Sequence, residues 1–131
     1  RQLEFAIFDF RLHLEFASKK ELNIQCLLDN VRKYNAVTKT PKFNRFQLSF
    51  SHIFAGGYAA GYFSYKWAEV LAADAYEFVQ KNGGIGSEAS KSFRECILEV
   101  GGSLDFMQQY QKFRGERPQL EGLLKASGIS A

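Results

Sequence analysis

The sequence predicts an all-α fold: an irregular multi-helix bundle with a long loop before a central helix. Three observations predict it. Apolar residues recur at helical spacing along most of the chain. The stretch from Tyr62 to Gln80 is rich in good helix formers, among them Ala68, Leu71, Ala72, Ala73 and Ala75. No alternating strand pattern of useful length occurs, the one short exception being Arg45 to Phe50. With 131 residues, 46% of them hydrophobic, the chain is expected to form one helical domain, 1–131, with a core of its own.

From Arg1 to Phe16, Leu3, Ile7, Phe10 and Leu14 repeat at helical spacing while Phe5, Phe8, Leu12 and Phe16 fill other faces, so the first helix is apolar nearly all round. Such a helix belongs in the middle of something. Ser18 and Glu21 form a capping-box pattern that opens a second helix, whose stripe is Ile24, Leu27, Leu28 and Val31 and whose end is expected near Lys33. Between Tyr34 and Ser49 the period is lost, and a loop this long is uncommon unless it is functional. The long helix from about Tyr62 to Gln80 is stopped by Asn82, Gly83 and Gly84. A helix from about Ser87 to Leu98 turns Phe93, Cys96 and Ile97 inward. Ser103 caps a short one carrying Leu104, Phe106 and Tyr110. Pro118 starts the last, with Leu120, Leu123 and Leu124, and Gly128 closes it.

Composition excludes several classes of function. The formal charge is +3, and the basic residues are dispersed among acids rather than gathered into a run, so no nucleic-acid partner is expected. No apolar run reaches the ~20 residues of a membrane span, so no membrane partner is expected either. Cys26 and Cys96 lack the spacing of a metal knuckle or redox pair and read as buried, reduced thiols of a cytoplasmic protein. His13 and His52 are the only histidines, with no second histidine three or four residues from either, so the chain offers no two-histidine helical metal site. The start RQLEFAIF has neither an initiating methionine nor a targeting pattern and reads as an excised piece.

The segment from Phe50 to Glu69, FSHIFAGGYAAGYFSYKWAE, holds one histidine, three glycines, three tyrosines and a tryptophan in twenty residues. An ordinary core segment has no need of that mixture. Each glycine weakens a helix by roughly 1 kcal/mol relative to alanine, so Gly56, Gly57 and Gly61 point to a backbone that bends, approaches something closely or moves. If the chain is helical after Gly57, Tyr58, Tyr62 and Tyr65 fall on one face and three hydroxyls converge. Taken alone, such a stripe most often simply packs. Trp67 reads as core or helix-packing surface, and His13 as a satisfied structural histidine.

These residues, together with KWAEVLAADA after them, CILEVGGS near Cys96 and the ending FRGERPQLEGLLKASGI, resemble the thimet oligopeptidase family of zinc metallopeptidases over most of the chain. Members of that family are much longer, and their zinc is held by a His-Glu-x-x-His helix, a motif absent from this sequence. The resemblance therefore implies a C-terminal fragment of a cytoplasmic enzyme. Its partners would be short peptide substrates and the upstream remainder of the same polypeptide, which would bring the zinc and the general base, so the fragment alone would be inactive.

The resemblance also assigns roles. Tyr58 and Tyr65 would be catalytic, their hydroxyls facing the substrate carbonyl and the tetrahedral intermediate. His52, Gly56, Gly57 and Tyr62 would bind substrate, the two glycines letting the loop close over a peptide. Two positions depart from the family pattern. Phe63 stands where many relatives carry another tyrosine, and GERP at Gly115–Pro118 where relatives usually place arginine directly after the glycine. The competing function, from another class, is a non-catalytic helical module whose aromatic face docks a peptide or partner helix.

Overall fold

A computed structural model describes residues 1–18 and 21–129. Among them the fold is all-α, as expected, with six α-helices and no strand: α1 (Gln2–Phe16), α2 (Ile24–Asn35), α3 (Ser64–Lys81), α4 (Glu88–Phe93), α5 (Phe106–Arg114) and α6 (Glu121–Ala126). Two 3-10 turns, Phe46–Leu48 and Ser51–Ile53, punctuate the long connection before α3, and one π-helical turn, Arg94–Leu98, continues α4. Backbone proximity divides the chain into two compact units, Arg1–Lys66 and Trp67–Ala131. Each has its own apolar cluster.

In the first unit α1 packs on α2. Phe8 and Leu12 from α1 meet Leu27, Leu28 and Val31 from α2, and Phe50, Ile53 and Tyr62 from the connection close the cluster. Phe8, Leu28 and Ile53 are essentially inaccessible to water, and each such burial contributes about 1.5–3 kcal/mol. The apolar surround of α1 is only half used, since Leu3, Phe10, Leu14 and Phe16 remain exposed. A part-buried ion pair joins the helices, Arg32 Nε donating to Glu4 Oε1 at 3.0 Å. The same guanidinium donates to Asn44 Oδ1 at 3.0 Å, which pins the middle of the connection to α2.

Three local expectations for this unit are corrected. The cap of α2 is Asn23, whose side chain accepts from Cys26 N at 3.0 Å, while the Ser18 hydroxyl donates to the Glu15 carbonyl at 3.1 Å instead. An asparagine immediately before the first periodic residue outcompetes a serine five positions upstream of it. Arg45 to Phe50 is a 3-10 turn rather than a strand, because Asn44 Oδ1 takes the Phe46 N–H that a ladder would require. Cys26 is exposed, lying beside rather than on the Leu27–Leu28–Val31 stripe, whereas Cys96 is buried as expected.

In the second unit Ala75, Cys96, Tyr110 and Phe113 form the cluster, with Leu71, Phe78, Val79, Phe93 and Ile97 packed around it. Gly83 and Gly84, at φ +100° and +72°, end α3 where the sequence placed its stop. Helix α5 starts later than expected. Asp105, not Ser103, is its cap, its carboxylate accepting from Gln108 N at 2.8 Å, while Ser103 bonds back to the Val100 carbonyl. Likewise α6 begins at Glu121, three residues past Pro118. It lies close against α3 at Gly122, where an added Cβ would stand 2.9 Å from the Ala73 carbonyl carbon and oxygen. Of the two readings of Trp67, core or helix-packing surface, core is excluded, since the residue is exposed.

Candidate active site

The glycines and tyrosines of the segment, from His52 to Tyr65, lie within the first unit. It rests on a run of stacked rings. Phe5 of α1 stacks on Phe46 with centroids 4.3 Å apart, Phe46 meets Phe50 at 4.7 Å, and Phe50 meets the Tyr62 ring edge-on at 5.0 Å. Offset and edge-on ring pairs of this kind add about 0.5–1.5 kcal/mol each beyond the area they bury. They give the irregular connection a rigid floor.

Above that floor the chain winds tightly. The Ser51 carbonyl accepts from the backbone N–H groups of Phe54, Ala55 and Gly56, and the His52 carbonyl accepts from Tyr58 N at 3.1 Å. A Cβ on Gly56 would stand 2.8 Å from His52 Cα and 2.9 Å from its carbonyl oxygen, so no side chain fits there. Gly57 follows at φ +79°, a left-handed conformation that glycine adopts without penalty. The two glycines thus fold the loop back onto His52.

The predicted helical face from Tyr58 to Tyr65 does not form. Residues 59–63 are turns and α3 begins only at Ser64. The reason is local: Gly57 and Ala60, at φ +79° and +53°, break the right-handed helical path. Gly61 is correspondingly undemanding, since an added Cβ would make only ordinary contact with Tyr58 O at 3.5 Å. The three tyrosines nevertheless converge, by a tight turn instead of a helix. Tyr58 stacks on Tyr65 at 5.1 Å and Tyr62 lies 5.0 Å from Tyr65. His52 completes the group at 5.9 Å from Tyr62 and 6.4 Å from Tyr58.

The cluster is graded in exposure. Tyr62 is 7% exposed and is part of the core, whereas Tyr58 at 37% and Tyr65 at 40% are open to solvent, and His52 is exposed too. A hydrogen bond with the Tyr58 hydroxyl, followed by partial desolvation and the two neighbouring phenols, raises the Tyr65 pKa above its ordinary value. Tyr65 therefore keeps its proton well past neutrality. What the arrangement can do chemically is present adjacent phenolic donors and an imidazole on one open surface, to an acceptor such as a carbonyl oxygen. Among the described residues, no three His, Cys, Asp or Glu side chains are grouped so as to hold a metal ion.

Two residues absent from the sequence-based site complete its framework. Asp9, in α1, is fully buried; its Oδ1 accepts from Ala60 N at 3.0 Å and its Oδ2 from Tyr62 N at 2.9 Å. His13 Nδ1 lies 2.9 Å from both the carbonyl oxygen and Oδ1 of Asp9. Both neighbours are acceptors, so this nitrogen carries the proton, and His13 is the satisfied structural histidine that was expected. The signal in the sequence was an acid set directly between two aromatics, Phe8 and Phe10.

The sequence matches the model of Peptidase family M3 over residues 1–129, and the chain belongs to that family. It is 50% identical to Oligopeptidase A of Salmonella typhimurium over 98% of its length, covering 19% of that protein. It is 51% identical to Oligopeptidase A of Haemophilus influenzae over the same shares, and 41% identical, over its whole length and 19% of the relative, to Probable cytosolic oligopeptidase A of Arabidopsis thaliana. The chain thus spans about a fifth of the length of these curated relatives. No helix among the described residues is long and apolar enough to cross a membrane.

Proposed function

We propose that this chain is the C-terminal part, a single helical domain over 1–131, of the catalytic region of a cytoplasmic zinc oligopeptidase that hydrolyses short peptides. In this reading the chain contributes donors, not the metal. The zinc and the general base would come from the upstream remainder of the polypeptide, and the metal would supply Lewis-acid polarisation of the scissile carbonyl and an activated water. The fragment alone is then inactive.

The roles follow from exposure and donor chemistry. Tyr58 and Tyr65 offer phenolic protons to the oxygen that gains negative charge as the carbonyl becomes tetrahedral. His52 and the backbone at Gly56 and Gly57 line the approach, and Tyr62 meets substrate from the floor. The observation that carries the reading is the stacked, solvent-open Tyr58–Tyr65 pair beside His52. A phenol is useful there because it stays neutral at working pH and can strengthen its bond as charge develops.

The test is Tyr58→Phe in the full-length polypeptide. Removing one donor to a developing oxyanion typically lowers kcat by about 10²–10³, with KM little changed. Turnover equal to that of the parent would sink the donor assignment.

A further inference from the structure

We propose that Asp9 is a positioning residue for the Tyr58–Tyr65 donor pair, holding the turn between them in its one productive shape. The proposal rests on the donor reading above and extends it to a residue that touches neither substrate nor the reacting atoms. Three observations carry it: full burial of the carboxylate, its engagement with two backbone N–H groups 51 and 53 residues away, and the left-handed φ of +53° at Ala60 between those two contacts.

A carboxylate taken out of water carries a penalty of several kcal/mol unless its lone pairs are met. Asp9 meets that requirement with Ala60 N, Tyr62 N and His13 Nδ1. The first two partners exist in that place only while residues 58–62 keep this turn. Opening the turn strands a buried charge, so the carboxylate acts as a latch.

The latch works against a local preference. A left-handed alanine costs roughly 1–2 kcal/mol, and such conformations persist only where the surroundings over-determine them. Ala60 stands two residues from Tyr58 and two from Tyr62, so its φ sets how the Tyr58 ring comes back over Tyr65. Without Asp9 the turn relaxes and the two hydroxyls part. A shift of about 1 Å in a catalytic group can lower turnover by as much as 10².

The experiment uses the full-length polypeptide, with turnover expressed per folded molecule and folding followed by circular dichroism. In Asp9→Asn one of the two acceptor oxygens becomes an amide, orphaning one backbone N–H. We expect kcat to fall about 10- to 100-fold while KM stays within about threefold. Adding Ala60→Gly, which lets the turn form without the latch, should return at least about threefold of the lost kcat. A purely structural aspartate would instead lower the yield of folded protein and leave kcat per folded molecule untouched.

If Asp9→Asn does not fold, Ala60→Val decides, because a β-branched residue strains the left-handed turn itself and leaves the carboxylate in place. A lowered kcat in Ala60→Val supports the latch and an unchanged kcat overturns it. A folded Asp9→Asn with normal kcat, alongside a Tyr58→Phe that has lost turnover, overturns the positioning role and leaves the donor reading standing. A Tyr58→Phe with normal turnover overturns the donor reading itself.

Discussion

In the first unit the buried Asp9 directs both oxygens to backbone N–H groups of an irregular turn. In the second unit the buried Asp74 of α3 accepts from side chains: the Tyr110 hydroxyl at 2.7 Å, and Arg114 Nε and a terminal guanidinium nitrogen at 3.2 and 3.4 Å. Arg114 also lies over the Phe78 ring, 4.7 Å from its centroid. Both carboxylates escape the penalty of burial by being well bonded. What they fix differs. Backbone bonds to Asp9 fix dihedral angles, so they define the shape of a loop that no regular helix could provide. Side-chain bonds to Asp74 fix the docking of α5 on α3, two elements that already have their own shape.

The contrast bears on where the proposed site lies. The second unit has an apolar recess of about 570 Å³ lined by Leu71, Val79, Phe93, Ile97 and Phe106 among others, and its polar network is turned inward. The first unit offers its aromatic hydroxyls and His52 on an open turn. A catalytic surface needs polar groups that are held yet accessible, which an irregular turn on a rigid floor supplies.

The largest expected effect that tests this comparison is Asp74→Ala. It removes the buried acceptor that Arg114 and the Tyr110 hydroxyl share, leaving them only the Glu116 carboxylate and the Leu71 carbonyl, and we expect about 3 kcal/mol of lost stability in urea denaturation. Turnover per folded molecule should change less than in Asp9→Asn. An equal fall in kcat would erase the distinction between a loop latch and a helix clamp.

A smaller effect is tied to pH. Burial, then the bond to Asp74 and its charge, push the Tyr110 pKa far above its ordinary value, with Arg114 opposing. The folded state holds a proton that the unfolded chain releases near pH 10. This contribution is therefore complete below about pH 10 and lost as pH rises further. Tyr110→Phe should flatten the alkaline fall of the melting temperature while lowering stability at neutral pH by about 1–3 kcal/mol. An alkaline limb that is unchanged in the variant would assign it to another group.

The smallest effect is expected at Lys125, which reaches Glu77 of α3 from α6 at 3.2 Å with its side chain 76% exposed. Lys81 and Lys125 hold the Glu77 pKa below its usual range by hydrogen bonding, yet exposed pairs contribute little. Lys125→Ala should shift stability by less than about 1 kcal/mol. A larger loss would show that α6 is held by charge rather than by its close contact at Gly122.

Much of this was legible in the residues. Local patterning determined the all-α class, the stripe Leu27–Leu28–Val31 and the stop after α3, because those features depend on neighbours three or four positions apart, and composition singled out the candidate segment from His52 to Tyr65. The resemblance carried by the glycine–tyrosine segment gave the family. Caps were less legible: Ser18 and Ser103 satisfied a local rule, and Asn23 and Asp105 satisfied it better one residue before each helix.

What only tertiary structure decided is how the tyrosines meet. A helical face was the local solution for Tyr58, Tyr62 and Tyr65, and the fold replaced it with a turn at Ala60 that is closed by an acid more than fifty positions away in the chain. A left-handed alanine is unfavourable on any local count, and only a distant partner whose own burial depends on that turn can hold it there.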